Sequence, residues 1–213
     1  RTNVAFPRPS RWFVSLWGDA VVPFTYAGLV AGRVTRGPRS EGSPALEVST
    51  ASAYLPLMAE HEVMVDRATR QQTIVAQVAQ LAAGVGGETP QDQALLDEVT
   101  DLVEQPTALL GNFEPEYLRL PKEALITVMK KHQRYFPVVR DGKMLPHFIT
   151  VRNGPAEFLD VVREGNEGVI RARYADAAYF FRADTTKPLE TFTPRLATLT
   201  FQEKLGSMLD KVR

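Results

Sequence analysis

The three histidines, His61, His132 and His147, are the first places to look for acid–base or metal chemistry in this chain. None stands in a His-Glu-x-x-His spacing and the chain has no cysteine, so a zinc site would need partners far away in sequence. His132 falls on the apolar stripe of its expected helix and reads as a core histidine. His147, between Pro146 and Phe148, reads as a packing residue at a strand end. No Gly-x-Ser-x-Gly elbow exposes a nucleophilic serine. Gly84-Val85-Gly86-Gly87 has the glycine content of a phosphate loop, but it lacks the trailing Lys-Ser/Thr and follows a helix rather than a strand. It reads as a turn between helices. The carboxylate pairs Asp97-Glu98 and Glu114/Glu116 read as a solvated acidic face. No catalytic residue and no metal ligand is assigned.

The basic residues are more informative. Lys130 and Arg134 are four apart, so they share a helix face away from Leu125 and Met129, and Lys131 adjoins them. Tyr135 and Phe136 follow at once. Cations beside aromatics can contact phosphates and stack on bases. They can equally be a solvated helix end whose charges suit the C-terminal dipole. Arg171, Arg173 and Arg182 flank a second apolar-aromatic helix. Arg173 and Asp176 have the spacing of an i,i+3 ion pair, and Arg171 and Arg182, eleven apart, return to one side.

Charge is unevenly placed although the formal net charge is zero. Residues 88 to 118 hold eight acids and no base. Residues 119 to 173 hold eleven bases and six acids, an excess of five. A local basic face within a neutral chain is the expectation. The chain has 213 residues, 44% of them hydrophobic, enough for a real core in one large domain or two small ones. It has no apolar run long enough to span a bilayer and no disulfide framework, and a cytoplasmic location is expected.

These residues are positioned by interleaved strands and helices. Arg11 to Trp17 and Ala20 to Phe24, joined by Gly18-Asp19, predict a hairpin, with a third strand over Gly28 to Thr35. Gly37 to Pro44 reads as a loop. A helix is expected from about Asp66 to Ala83, with an apolar stripe of Ala68, Ile74, Val75, Val78, Leu81 and Ala82, ended by the glycines at 84, 86 and 87. Thr89-Pro90 opens another, with Thr89 as N-cap and Asp92 at the box position. A strand is expected over Gln105 to Phe113 and a helix from Pro121 to Pro137. A second hairpin is expected through Asp141-Gly142. Residues 156 to 164 and 168 to 182 predict two helices, and Thr193 to Arg213 a final amphipathic one. The expected fold class is mixed α/β (α+β), without a doubly wound sheet. Both termini read as the boundaries of a fragment.

Several stretches resemble the β subunit of the bacterial two-subunit glycyl-tRNA synthetase. They are Phe6-Pro7-Arg8-Pro9 through Trp12, Gly28-Leu29 through Arg36-Gly37, and Met129-Lys130-Lys131-His132-Gln133-Arg134-Tyr135-Phe136-Pro137-Val138. Further matches are Gly142 to Phe148, Gly165-Asn166-Glu167-Gly168-Val169-Ile170-Arg171-Ala172-Arg173 running on to Asp184, and Phe201 to Lys211. They stand in the family's order and cover nearly the whole chain. One departure is Arg36-Gly37-Pro38-Arg39, where the family often has Arg-Gly-His-Arg; proline there implies a rigid loop.

The resemblance implies a module similar to the B3/B4 region of the phenylalanyl-tRNA synthetase β subunit over residues 1–192, with a possible division into 1–118 and 119–192. Residues 193–213 would lead into an HD-type helical domain. It implies partners: the α subunit in an assembly of two α and two β subunits, tRNA(Gly), and the remaining β-subunit domains, with no membrane. Glycine activation with ATP and magnesium would belong to the α subunit, so no cofactor is expected here. The implied role is tRNA positioning, with Lys130, Lys131, Arg134, Arg171 and Arg173 as candidate contacts to phosphate oxygens. Two rival readings are hydrolytic editing and pure scaffolding. Editing is disfavoured because larger amino acids are easily excluded from a glycine site.

Overall fold

A computed structural model describes residues 10–212 of the chain, apart from the side chain of His132. The Phe6-Pro7-Arg8-Pro9 turn and the core placement of the His132 ring lie outside that description. The N-terminal segment is a set of short strands: β1 (Phe13–Val14), β2 (Leu16–Trp17), β3 (Ala20–Val21), β4 (Thr25–Tyr26), β5 (Leu29–Gly32), β6 (Val34–Arg36) and β7 (Ala45–Glu47). The expected hairpin is present as β2 and β3, which pair Leu16 with Val21 and Trp17 with Ala20. Gly18 takes the positive φ of 61° that the turn needs. The expected third strand breaks at Arg33 into β5 and β6. The Arg33 side chain donates to the carbonyl oxygens of Asp19 (2.8 Å) and Ser49 (3.3 Å), tying this segment together. The stretch Gly37 to Pro44 holds a short 3-10 turn at Arg39–Glu41, closed by Gly42 at φ 80°.

A short helix α1 (Tyr54–Glu60) precedes α2 (Arg67–Gly84) and α3 (Gln93–Leu102). The helix α2 lies where the apolar stripe put it and buries Ile74, Val78 and Ala82. Asp66 caps it by accepting from the Thr69 N–H at 2.7 Å. The helix α3 begins later than expected: Asp92, not Thr89, is its N-cap and accepts from the Leu95 N–H at 3.0 Å. The preceding chain is held extended because Glu88 bridges to Val139.

The centre is an antiparallel sheet in the order β8-β10-β9, formed by β8 (Pro106–Asn112), β9 (Phe136–Arg140) and β10 (Lys143–Asn153). Between β8 and β9 run a 3-10 turn (Pro115–Arg119), α4 (Lys122–Thr127) and a π-helical turn (Val128–Gln133). Asp141 and Gly142, at φ 49° and 73°, make the β9–β10 hairpin turn that an Asp-Gly pair favours. Because β8 pairs with β10 along seven residues, the sheet unites chain on both sides of residue 118.

Alternation along the strands sends neighbours to opposite cores. Ile149, Phe136 and Val138 join Ile74, Val78, Leu95 and Val99 beneath α2 and α3. Phe148 and Tyr135 join Leu125, Met129, Ile170 and Tyr174 on the other side. The second core rests on α5 (Leu159–Thr185), one continuous helix where two were expected. Gly165 and Gly168 each cost about 1 kcal/mol in a helix. Contacts just there outweigh them: Asn166 accepts from the Tyr135 hydroxyl at 2.5 Å, and Glu167 accepts from the Asn112 N–H at 2.8 Å.

The last expected helix is absent. Residues 189–198 form a 3-10 segment containing Pro194, followed by a hairpin of β11 (Thr200–Gln202) and β12 (Gly206–Ser207) and then α6 (Met208–Val212). Thr191 and Thr198 turn their hydroxyls onto carbonyls three residues back. Ser207 and Asp210 form a capping box that starts α6 only at Met208.

Gly111 faces Phe148 across the sheet, and a Cβ there would stand 2.7 and 2.8 Å from ring atoms. Gly111→Ala should therefore lower stability by about 1–3 kcal/mol, read as a drop in thermal midpoint. Phe148→Leu in the same chain should recover part of that loss. An unchanged midpoint in Gly111→Ala would show that the ring is not held against this strand.

Candidate functional site

The basic cluster is built at the joint between the π-helical turn and β9. Arg134 ends the turn in the left-handed conformation (φ 59°), so the chain reverses and buries Tyr135 and Phe136 on opposite faces of the sheet. Three of the five candidate cations meet carboxylates of the acidic run. Lys130 Nζ lies 2.6 Å from Asp92 Oδ2. Arg134 Nε donates to Glu98 Oε1 at 2.6 Å, and Arg171 Nε donates to Glu114 Oε1 at 2.6 Å. Lys131 and Arg173 are exposed and have no carboxylate partner among the described residues. The expected Arg173–Asp176 pair does not form.

The acidic run is therefore a set of acceptors as well as a wet face. Beyond Asp92, Glu98 and Glu114, its members Asp97 and Asp101 hold Arg67 of α2 at 2.8 and 2.7 Å. These pairs differ in shielding. In Lys130–Asp92 the side chains are only 26% and 23% exposed, whereas Arg134 and Arg171 are 45% and 59% exposed. An exposed pair is worth about 0–1 kcal/mol, so Arg134 and Arg171 can exchange a carboxylate for a phosphate at little cost. Lys130 is a structural clip between the turn and the start of α3.

The glycine loop after α2 uses its N–H groups internally, Val85 and Gly87 donating to Ala82 O and Gly86 to Ala83 O, so it is no phosphate cradle. Arg140 Nε donates to Gly86 O at 2.5 Å and its Nη2 to Val85 O at 2.7 Å, so a cation already covers the carbonyl end of the helix. His147 shares a hydrogen bond with Asn112 Oδ1 at 2.7 Å, and burial lowers its pKa, with Arg140 adding to the effect. His61 Nδ1 meets Glu41 Oε2 at 3.1 Å and links α1 to the N-terminal segment. No group of three or more His, Cys, Asp or Glu among the described residues is arranged to hold a metal. No helix among them is long and apolar enough to cross a membrane.

Sequence reasoning passed over a second cationic place. Arg119, from the 3-10 turn after β8, and Arg182, from α5, line one cavity of about 300 Å³ with Glu116, Tyr117, Phe181 and Ala178. The eleven-residue interval from Arg171 to Arg182 was its only sequence signal. Arg119 joins the cavity through tertiary packing alone.

The whole chain, residues 1–213, matches the family model described as glycyl-tRNA synthetase beta subunit. It is 48% identical over 212 residues to the glycine–tRNA ligase beta subunit of Moorella thermoacetica. It is 45% identical over 209 residues to that of Clostridioides difficile and 43% over 212 residues to that of Bacillus subtilis. These matches cover 98–99% of this chain and 30–31% of each relative, so the chain spans about 30% of their length. The chain belongs to the glycyl-tRNA synthetase beta subunit family.

The Asp92 clip makes a pH signature. The hydrogen bond and charge of Lys130, then the Leu95 N–H, hold the Asp92 carboxyl below its ordinary value of 3.8. Its contribution is full above that value and is lost as pH falls through the lower folded-state pKa. Asp92→Asn, which keeps a capping oxygen but no charge, should cost about 0.5–1 kcal/mol at neutral pH. Denaturant melts should show the gap between wild type and variant narrowing as pH falls below 3.8 and closing once the folded-state carboxyl is protonated. A gap that persists in acid would assign the loss to packing instead.

Proposed function

We propose that this chain is the part of a glycyl-tRNA synthetase β subunit that positions tRNA(Gly), while the α subunit attaches glycine using ATP and magnesium in an assembly of two α and two β subunits. Residues 1–192 would be the B3/B4-like module, and residues 193–213 the lead into an HD-type helical domain. The mixed α/β architecture and the family match support this reading. Its main support is the division of the cations. Lys130 is clipped into the fold, Arg134 and Arg171 are in exposed exchangeable pairs, and Lys131 and Arg173 face solvent unneutralised on elements that touch. Such a surface attracts phosphates without reading bases.

A second reading, in which the chain scaffolds the rest of the enzyme, is favoured by its C-terminal part. No described residue from Tyr179 onward is buried, yet Leu189 is 80% exposed and Phe180 and Leu205 are each 61% exposed. Large apolar side chains left exposed in number are what a contact region presents. Co-purification with an α subunit, with and without tRNA, would separate this role from RNA positioning.

The 213-residue chain should bind tRNA(Gly) weakly, with affinity falling steeply as salt rises. Lys131→Ala with Arg173→Ala should weaken binding by roughly three- to tenfold and reduce the salt dependence, with thermal stability within about 0.5 kcal/mol of wild type. Alone, the chain should give no glycine-dependent ATP–pyrophosphate exchange. Binding that ignores both salt and these substitutions would reject the tRNA-positioning role.

A further inference from the structure

We infer that the cavity between α5 and the 3-10 turn at Pro115–Arg119 is a seat for an RNA backbone phosphate, with Arg119 and Arg182 as its two donors. The inference deepens the tRNA-positioning reading and rests on it. Arg67, Lys130, Arg134 and Arg171 all meet carboxylates. Arg119 and Arg182 are exposed cations without a carboxylate partner among the described residues, and they line the same 300 Å³ cavity.

The cavity that the two arginines line also has buried and aromatic residues in its wall. Ala178 is buried, and Tyr117 and Phe181 stand as aromatic walls. The Tyr117 ring packs 5.5 Å from Tyr174, which is fully buried, so that wall is fixed to the second core. Low-dielectric walls raise the field that two like charges place in the cleft. Two arginines bordering one cavity bring forked donors that match the oxygens of a phosphodiester. Phe181, 40% exposed, offers a face to the adjoining ribose or base. The volume is at the small end for a ligand pocket, which suits one nucleotide unit of a chain.

Glu116 also lines the cavity and opposes an anion there. Its charge leaves the pair net positive and limits affinity for a small free anion. A polyanion presenting several phosphates can overcome that, which is why the commitment is to RNA. This seat lies apart from Arg173: Arg182 is nine residues further along α5, half a turn round the helix. Lys131 and Arg173 supply diffuse attraction on open surface. Arg119 and Arg182 would hold one phosphate in a defined place.

The test is binding of tRNA(Gly) to the 213-residue chain across a salt series. The comparison is among wild type, Arg119→Ala/Arg182→Ala, and a charge-matched control, Arg39→Ala/Lys143→Ala, at exposed positions elsewhere. The first double variant should lose about tenfold in affinity near 0.1 M salt. The slope of log affinity against log salt should shrink by roughly 0.7–0.9 for each phosphate contact removed. The control should change little, and Glu116→Gln should tighten binding about two- to threefold. Circular dichroism and melting check that each variant is folded; Arg119→Lys/Arg182→Lys, which keeps the charge, is the substitute if the alanine pair is not, and should weaken binding by losing the forked donors. Equal losses in the control and the cavity variant would overturn the seat while leaving tRNA positioning intact. No salt-dependent binding by wild type would remove both.

Discussion

The fold depends on a single strand that is buried on both faces. In β10, Phe148 and Ile149 are adjacent in sequence and each is fully buried, but they enter different cores. A shift of one residue in the register with β8 would exchange them, pushing an aromatic ring among the aliphatics of α2 and α3. Gly111 opposite Phe148 holds that register, because no larger residue leaves room for the ring. Tyr135 then stacks on Phe148 with ring centres 4.7 Å apart, and burial pushes its hydroxyl pKa up to about 12. That hydroxyl, protonated throughout the ordinary range, donates to Asn166 and so fixes α5 to the sheet.

Charge follows from this packing. Once the sheet brings α3, the π-helical turn and α5 together, the acidic run from 88 to 118 faces the basic stretch that follows it. Asp92, Glu98 and Glu114 then lie at contact distance from Lys130, Arg134 and Arg171. Part of the opposing charge is thus neutralised locally, in pairs. What remains is a set of cations without a carboxylate partner, and packing leaves some of them on open surface and others beside a cavity. The bulk excess of basic residues is a poor guide to that distinction, since most of those residues are used inside the molecule.

The C-terminal part obeys a different constraint. Arg195 stacks over Phe192 at 5.3 Å and Lys211 over Phe201 at 4.2 Å, so local cation–aromatic contacts cover some apolar surface there. They leave Leu189, Leu199 and Leu205 exposed. The beta subunits it matches are about three times longer than the chain.

Local chemistry was legible in the sequence wherever neighbouring residues decide it. The Gly18-Asp19 and Asp141-Gly142 turns, the apolar stripe of α2 and the strand expected over Gln105 to Phe113 all depend on residues a few positions apart, and they stand where those residues put them. The Ser207–Asp210 capping box was equally readable, but the longer apolar period around it pointed to one helix. The unbroken run of α5 across Gly165 and Gly168 was not readable, because Tyr135 and Asn112 support it from about thirty and fifty-five positions away. The same holds for charge. The sequence determined which cations exist and which family they belong to. Only the tertiary structure decided which are neutralised, because an ion pair forms by distance in space and its partner can come from any part of the chain.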